Sequence, residues 1–407
     1  MKLLATLLTA IMISTAASAA DKPGLRLGPL ELHPRFKIAA MYDSNIYMVP
    51  SDLNGVQNGG GVRQASISEN LFGLDFKLPL SGMHSFAGGY EISTLFYSTM
   101  SKANDMISQS AKLNYAYKGP MGLSAKLGDS FLSTMDPAFS ESATRERRWQ
   151  NTASVAGEYS IGEGPLFIGL SGEQATHKYL TTTMGALLNR YEQTFGGKVG
   201  YRLQPKTRAY VVYRRKIIHY SVHSTDQKNN KAHEAGLGIE GRFSPKITGK
   251  LEGAMTMRRY DNDGVLKTSE TFHRGMSVDA QLNWKPEERW DVSLRAGRSM
   301  QESTFQANRF YTSNTLGLTY SHTLPEGMSV RLDVGFTSDR YPLAATVNGK
   351  TANRRDDIYQ EKLDLDQPLR EWLSVFCTYL HRQKFSNFSG QYNYDDHQAS
   401  AGVKLAL

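Results

Sequence analysis

Along most of this chain, charged residues stand an even number of positions apart with apolar residues between them. Lys198 and Arg202 do so among Phe195, Val199 and Tyr201. Arg331 and Asp333 do so among Val330, Leu332 and Val334, and Lys250, Asp279, Arg295, Lys362 and Lys404 have similar settings. Successive side chains of a strand point to opposite faces, so this spacing gathers charge on one face and apolar bulk on the other. Across the chain the polar face carries Lys37, Lys112, Lys126, Lys198, Arg202, Arg242, Lys250, Arg258, Arg295, Arg331, Lys362 and Lys404. Opposed to them are Asp75, Glu91, Glu158, Glu173, Glu234, Glu240, Glu252, Asp279, Asp291, Asp333, Asp339 and Asp364. The chemistry open to such a face is electrostatic: it can line a wet passage. Most of the opposite charges are expected to pair and hold the wall, leaving a minority to select solute.

Bond-making chemistry finds no support. The chain has no G-x-S-x-G, no H-E-x-x-H and no phosphate loop, and its Ser, His and Asp residues are scattered. Asp261-Asn262-Asp263-Gly264 lacks the bidentate Glu of a calcium loop and reads as a hairpin tip. Asp356-Asp357 and Asp395-Asp396 are weak candidates for a divalent ion at a rim. Cys377 is the sole cysteine, which excludes an intrachain disulfide or a cysteine metal cluster. No cofactor motif occurs, and nothing argues for an enzyme. The formal charge of +8 is not matched by any nucleic-acid-binding module. Its visible clusters are Arg145/Arg147/Arg148, Arg214/Arg215/Lys216, Lys228/Lys231, Arg258/Arg259 and Arg354/Arg355, most of which lie at loop ends on the long-loop side. They suit lipopolysaccharide phosphates or, more sharply, a funnel for an anionic polymer or solute.

The elements that must position these charges follow from period-two alternation and from proline. Pro79, Pro120, Pro165, Pro205, Pro245, Pro286, Pro325 and Pro368 recur at spacings of 39 to 45 residues, each in a short segment such as LQPKT or LPEGM. Proline cannot donate to a β-ladder, so it marks turns. Between prolines lie two long alternating stretches parted by a longer polar loop, where a propeller blade would need four short ones. The reading is 18 strands: 34–48, 64–78, 84–98, 105–118, 122–133, 148–160, 165–178, 189–203, 207–220, 232–243, 247–260, 271–284, 289–302, 309–323, 327–340, 355–367, 371–384 and 393–407. Alternation is imperfect in 64–78, 207–220 and 355–367, so 16 strands is the alternative. The fold class is all-β: one transmembrane antiparallel β-barrel with short periplasmic turns and long extracellular loops. A soluble sandwich would bury one face in aromatics and would not need strands of this length.

Residues 1–20 combine Lys2, an apolar run from Leu3 to Ile13 and the small-residue site Ala17-Ser18-Ala19. This reads as a cleaved signal peptide over 1–19, followed by a periplasmic lead-in over 20–33 and a barrel over 34–407. The expected location is the outer membrane of a Gram-negative cell. The mean hydropathy of −0.44 is compatible with that, because only alternate strand residues face lipid. Tyr42, Tyr47, Tyr90, Tyr117, Tyr159, Tyr201, Trp284, Trp290, Tyr320 and Trp372 cluster near strand ends, as interfacial girdles do.

Leu27-Gly28-Pro29-Leu30-Glu31-Leu32-His33-Pro34, followed by Tyr42-Asp43-Ser44-Asn45-Ile46-Tyr47, resembles the opening of the putative beta-barrel porin 2 family, in which a "GPL-L-P" segment leads to a "YDDNIY"-like end. Ser44 departs from that pattern, and Leu407 departs from the aromatic final residue usual in outer-membrane barrels. The resemblance implies a role beside exopolysaccharide systems: a conduit for a secreted polysaccharide, working with a periplasmic polysaccharide-export protein. The same barrel physics permits a general or solute-specific diffusion porin, or a non-conducting scaffold or adhesin. Membrane lipid and lipopolysaccharide are the expected surroundings. The loops 49–63, 134–147, 179–188, 221–231, 261–270, 341–354 and 385–392 are expected to face the exterior.

Overall fold

Alternation over a dozen residues leaves each segment one way to satisfy both of its faces: pair with its neighbours, turn the apolar side to lipid and the polar side to the interior. A computed structural model describes residues 24–50, 62–120, 122–136, 141, 145–221, 228–261, 271–305 and 308–407, so the leader expected over 1–19 lies outside the described residues. It shows β1 (Leu25–Leu27), β2 (Leu30–Asp43), β3 (Ala65–Pro79), β4 (His84–Tyr97), β5 (Met106–Lys118), β6 (Ser124–Thr134), β7 (Arg148–Ser160), β8 (Leu166–Tyr179), β9 (Arg190–Gln204) and β10 (Thr207–Tyr220). These continue as β11 (Asn230–Ser244), β12 (Ile247–Tyr260), β13 (Phe272–Trp284), β14 (Trp290–Glu302), β15 (Phe310–Thr323), β16 (Ser329–Val347), β17 (Lys350–Arg370), β18 (Leu373–Ser386) and β19 (Tyr394–Ala406). Every consecutive pair is antiparallel, and β19 pairs with β2 from Gln398↔Asp43 to Ala406↔Arg35, closing the sheet. The barrel therefore has 18 strands, β2 to β19, with β1 as a three-residue addition on β2. Closure leaves no edge, which a hydrocarbon environment requires of backbone polar groups.

The outward face is apolar and uncovered. Leu170, Leu237, Val211 and Ile38 are all more than half exposed. A water-soluble chain does not leave a continuous belt of this kind. Girdles edge it: Trp284, Trp290, Trp372 and Tyr201 near the proline turns, Tyr42, Tyr213, Tyr359 and Tyr379 toward the other end, all outward and substantially exposed. Among the described residues no helix is long and apolar enough to cross a membrane.

Three sequence expectations shift. The first long strand occupies Leu30–Asp43, not 34–48, because Gly28, with φ of 62°, turns β1 back onto it and the chain leaves the wall after Asp43. The loop expected over 341–354 is a β-hairpin: β16 and β17 run on past their neighbours and meet at Asn348-Gly349, both at positive φ, as a type I′ turn requires. Pro79 and Pro368 lie at strand ends instead of in turns. Two-residue turns at Pro205-Lys206 and Pro245-Lys246 join β9 to β10 and β11 to β12. Among the described residues, three short α-helices sit at the long-loop end: α1 (Ser101–Asn104), α2 (Thr182–Leu188) and α3 (Ser389–Tyr392).

Candidate functional site

The pleat sets which side chains enter the barrel. Val199, Leu251, Leu294, Leu332, Leu363 and Val403 are exposed on the outside, so residues at the opposite parity face inward. Lys198, Arg202, Lys250, Asp279, Arg295, Arg331, Asp333, Lys362 and Lys404 all take that inner parity, as do the other charges assigned to the polar face. Lys198 pairs with Glu158 at 3.1 Å and Glu240 at 3.7 Å. Lys250 pairs with Asp279 at 2.6 Å and Glu252 at 3.5 Å. Arg331 meets Asp333 at 2.8 Å, Lys362 meets Asp364 at 2.8 Å and Lys404 meets Asp366 at 2.6 Å. Arg202 is set apart at the turn end, donating to Ser160 Oγ.

Antiparallel register brings these residues into a network that bends around one wall. Arg208 bridges Glu158 and Glu240 at 2.5 and 2.6 Å while lying 4.7 Å from the Phe167 ring centre. Above it, Arg214 bridges Glu234 at 2.7 Å and Glu252 at 2.6 Å, and the Tyr210 hydroxyl donates to Glu252 at 2.8 Å. Higher still, Arg258 and Glu302 are both nearly buried and lie 2.5 Å apart. On the far side, Arg35 links Asp75 and Glu91, and Lys37 meets Glu69. Sequence reasoning missed Arg35, Glu69, Arg208, Asp366 and Lys384, although each has the inner parity. By contrast Lys112, Lys126, Arg242 and Arg295 face inward with no ion-pair partner among the described residues.

Adjacent charges are separated by the same pleat, which corrects two expectations. Asp356 turns in to Arg354 and Lys384, whereas Asp357 turns out to Arg340. Asp396 turns in to Arg382, whereas Asp395 turns out to His381. Neither doublet can chelate one ion. The basic clusters divide likewise: Arg148, Arg214, Lys216, Arg258 and Arg354 belong to the interior, leaving Arg215, Lys231, Arg259 and Arg355 outside. The tip at 261–264 lies outside the described residues beyond Asp261.

The long-loop end is spanned. Glu141, in the connection between β6 and β7, reaches the connection between β14 and β15, eight strands around an 18-strand wall. Its carboxylate accepts from Ser303 Oγ, from Thr304 N and Oγ1 at 2.7 Å each, and from Phe305 N at 3.2 Å. Its carbonyl accepts from Arg354 at 3.1 Å. Glu141 stands seven positions from both Thr134 and Arg148, a reach of about 24 Å, while a round 18-stranded wall measures about 36 Å across. Glu141 and the residues it meets, Ser303, Thr304 and Phe305, therefore lie over the lumen. Arg354 fastens the far side: it pairs with Asp356 at 2.8 Å and its guanidinium lies 3.6 Å from the Tyr392 ring centre, with Phe305 and Tyr341 also against it. Burial raises the Tyr392 phenol above its ordinary range, so it stays neutral and offers Arg354 a ring face. Tyr311, Val347 and Phe388 complete this apolar knot.

Asp43 and Asn45 clasp the closing seam. Asp43 accepts from Asn45 N at 2.9 Å and from Gln398 at 2.9 Å. Asn45 donates to the carbonyls of Val49 and Asp395. Ser44 Oγ accepts from His397 N at 2.7 Å, and Ile46 packs with Ala65, Ile67 and Tyr97. The residues that mark the end of the first strand thus stitch it to the last one.

A family profile described as "Putative beta-barrel porin 2" matches residues 166–407. No curated protein matches the sequence. Among solved structures, OccAB3 of Acinetobacter baumannii is similar at 10% identity and a TM-score of 0.48, covering 92% of this chain and 99% of that one. OpdL of Pseudomonas aeruginosa is similar at 12% and 0.45, covering 94% and 99%. A mutant of the ferric enterobactin receptor PfeA of Pseudomonas aeruginosa is similar at 8% and 0.46, covering 94% and 81%.

Proposed function

The chain belongs to the "Putative beta-barrel porin 2" family of outer-membrane β-barrels, and on that premise we propose that it is a passive channel for small polar solutes that favours anions. Glu141 carries the size argument. An empty 18-stranded barrel lined by ordinary side chains would keep a lumen about 20 Å wide. A chain about 10 Å thick laid across that lumen leaves openings suited to small solutes and narrow for a polymer. Charge selection comes from what the wall leaves over. Ion pairs cancel most of the lining, whereas Lys112, Lys126, Arg242 and Arg295 present positive charge toward the proline-turn half. A desolvating confined space magnifies such an excess. Nothing in this reading asks for bond-making chemistry, in keeping with a porin-type family. Outside, Arg215, Lys231 and Arg259 stand above the apolar belt, where lipopolysaccharide phosphates would meet them. A cleaved leader over 1–19 would deliver the chain.

A second reading, passage of a secreted polysaccharide with a periplasmic export partner, is supported by the resemblance of Leu27–Tyr47 to families beside exopolysaccharide loci. It requires the Glu141 contact to release. A clean gene deletion separates the two. Loss of small-anion uptake with surface polysaccharide at wild-type level supports the channel; loss of surface polysaccharide with unchanged uptake overturns it.

A further inference from the structure

Outside the lumen, three ligating side chains converge on the external wall beside the closing seam. His381 of β18 and His397 of β19 are directly opposed in the antiparallel register, and Asp395 lies one pleat repeat away on the same outward face. The imidazoles stack nearly parallel, with ring centres 4.5 Å apart and an interplanar angle of 4°. Asp395 Oδ1 stands 2.9 Å from His381 Nε2 and 3.6 Å from His397 Nε2, and one ligand atom from each residue falls within 4.8 Å of the other two. A tetrahedral zinc ion with bonds of about 2.0 Å needs ligand atoms about 3.3 Å apart, so small rotamer changes suffice.

The surroundings prepare the donors. Tyr379 Oη lies 2.8 Å from His397 Nδ1, which leaves Nε2 to face Asp395. Metal-bound imidazoles commonly have their second nitrogen held in this manner, which sets ring orientation. The backbone beneath is held too: Asn45 donates to the Asp395 carbonyl at 3.1 Å, and His397 N donates to Ser44 Oγ. Two registered strands and a clasp thus place all three ligands on rigid wall.

We propose that His381, Asp395 and His397 form a binding site for a borderline divalent ion of the zinc class, open on its fourth side. Two imidazoles and one carboxylate favour zinc, nickel or copper over calcium and magnesium, which prefer all-oxygen shells. Bound there, the ion ties β18 to β19 next to the β19–β2 seam, and its free position faces outward, where a water or a lipid phosphate oxygen can complete the shell. The site does not depend on what passes through the lumen.

The test uses the full chain folded in detergent micelles, zinc alone as the probe, and equilibrium dialysis with metal analysis. One zinc per chain is expected in the wild type, retained against a large excess of calcium. The double variant His381→Ala/His397→Ala should lose it, with folding checked by heat-modifiable gel mobility. Tyr379→Phe keeps all three ligands and should weaken binding about 10–100-fold, as loss of an outer-shell partner does. Zinc should also raise the wild-type unfolding temperature and leave that of the double variant unchanged. Absence of stoichiometric zinc in the wild type, undiminished binding by the double variant, or equal displacement by calcium overturns the proposal.

Discussion

Replacing Glu141 by alanine should open the long-loop end. The carboxylate serves four donors on Ser303, Thr304 and Phe305, of which Phe305 N also donates to Ser303 Oγ at 3.0 Å. Hydrogen bonds to a charged group contribute about 1.5–3 kcal/mol each, but four that share one carboxylate are not additive. Taking about 3 kcal/mol for the set, the ratio of docked to undocked chain falls by roughly 100-fold, since 1.4 kcal/mol is tenfold. A chain about 10 Å thick over a lumen about 20 Å wide covers about half its area, so release should raise conductance about twofold. Planar-bilayer recording of single channels measures this, and partitioning of polyethylene glycols of graded size measures the widened exclusion limit. Glu141→Gln keeps one acceptor oxygen and should fall between the two. Unchanged conductance and unchanged exclusion size in a Glu141→Ala protein of normal heat-modifiable mobility would refute the spanning contact as the constriction.

Neutralising Lys112, Lys126, Arg242 and Arg295 together should move the reversal potential in a salt gradient from anion preference toward none, whereas neutralising Lys285 and Asp291 together removes a pair whose charges cancel and should leave it unchanged. Glu302→Gln leaves Arg258 buried without its counter-charge and should destabilise the barrel by about 3–5 kcal/mol, read as a lower temperature for the gel-mobility transition. An unchanged transition would mean that Arg258 finds another partner. Gly349→Val places a β-branched residue at a φ of 79° and should cost about 1–3 kcal/mol by the same readout. An epitope inserted at Gly349 should be reachable on intact cells and one at Lys206 should not; reversed labelling would invert the orientation.

What the sequence determined by itself was the wall. Period-two alternation is a local property of each strand, so it delivered the strand number, the lipid face and the inner parity of residues such as Lys198 and Asp333, and proline's missing donor marked one end of the barrel. Even the hairpin at Asn348-Gly349 left a local mark in its turn dipeptide, but Leu343-Ala344-Ala345-Thr346-Val347 does not alternate, so the stretch reads as a loop. Partnership was not legible. Whether Arg208 meets Glu158 or Glu240 depends on how strands 50 and 32 residues apart slide into register. Doublets such as Asp395-Asp396 look like one site along the chain and become two when the pleat sends them to opposite sides of the wall. Glu141 meets Thr304 across 163 residues, and His381 meets His397 only because two strands align. Side-chain direction follows from backbone geometry within a few residues, whereas closure and loop docking bring together groups that no local rule relates, and only the closed barrel decides them.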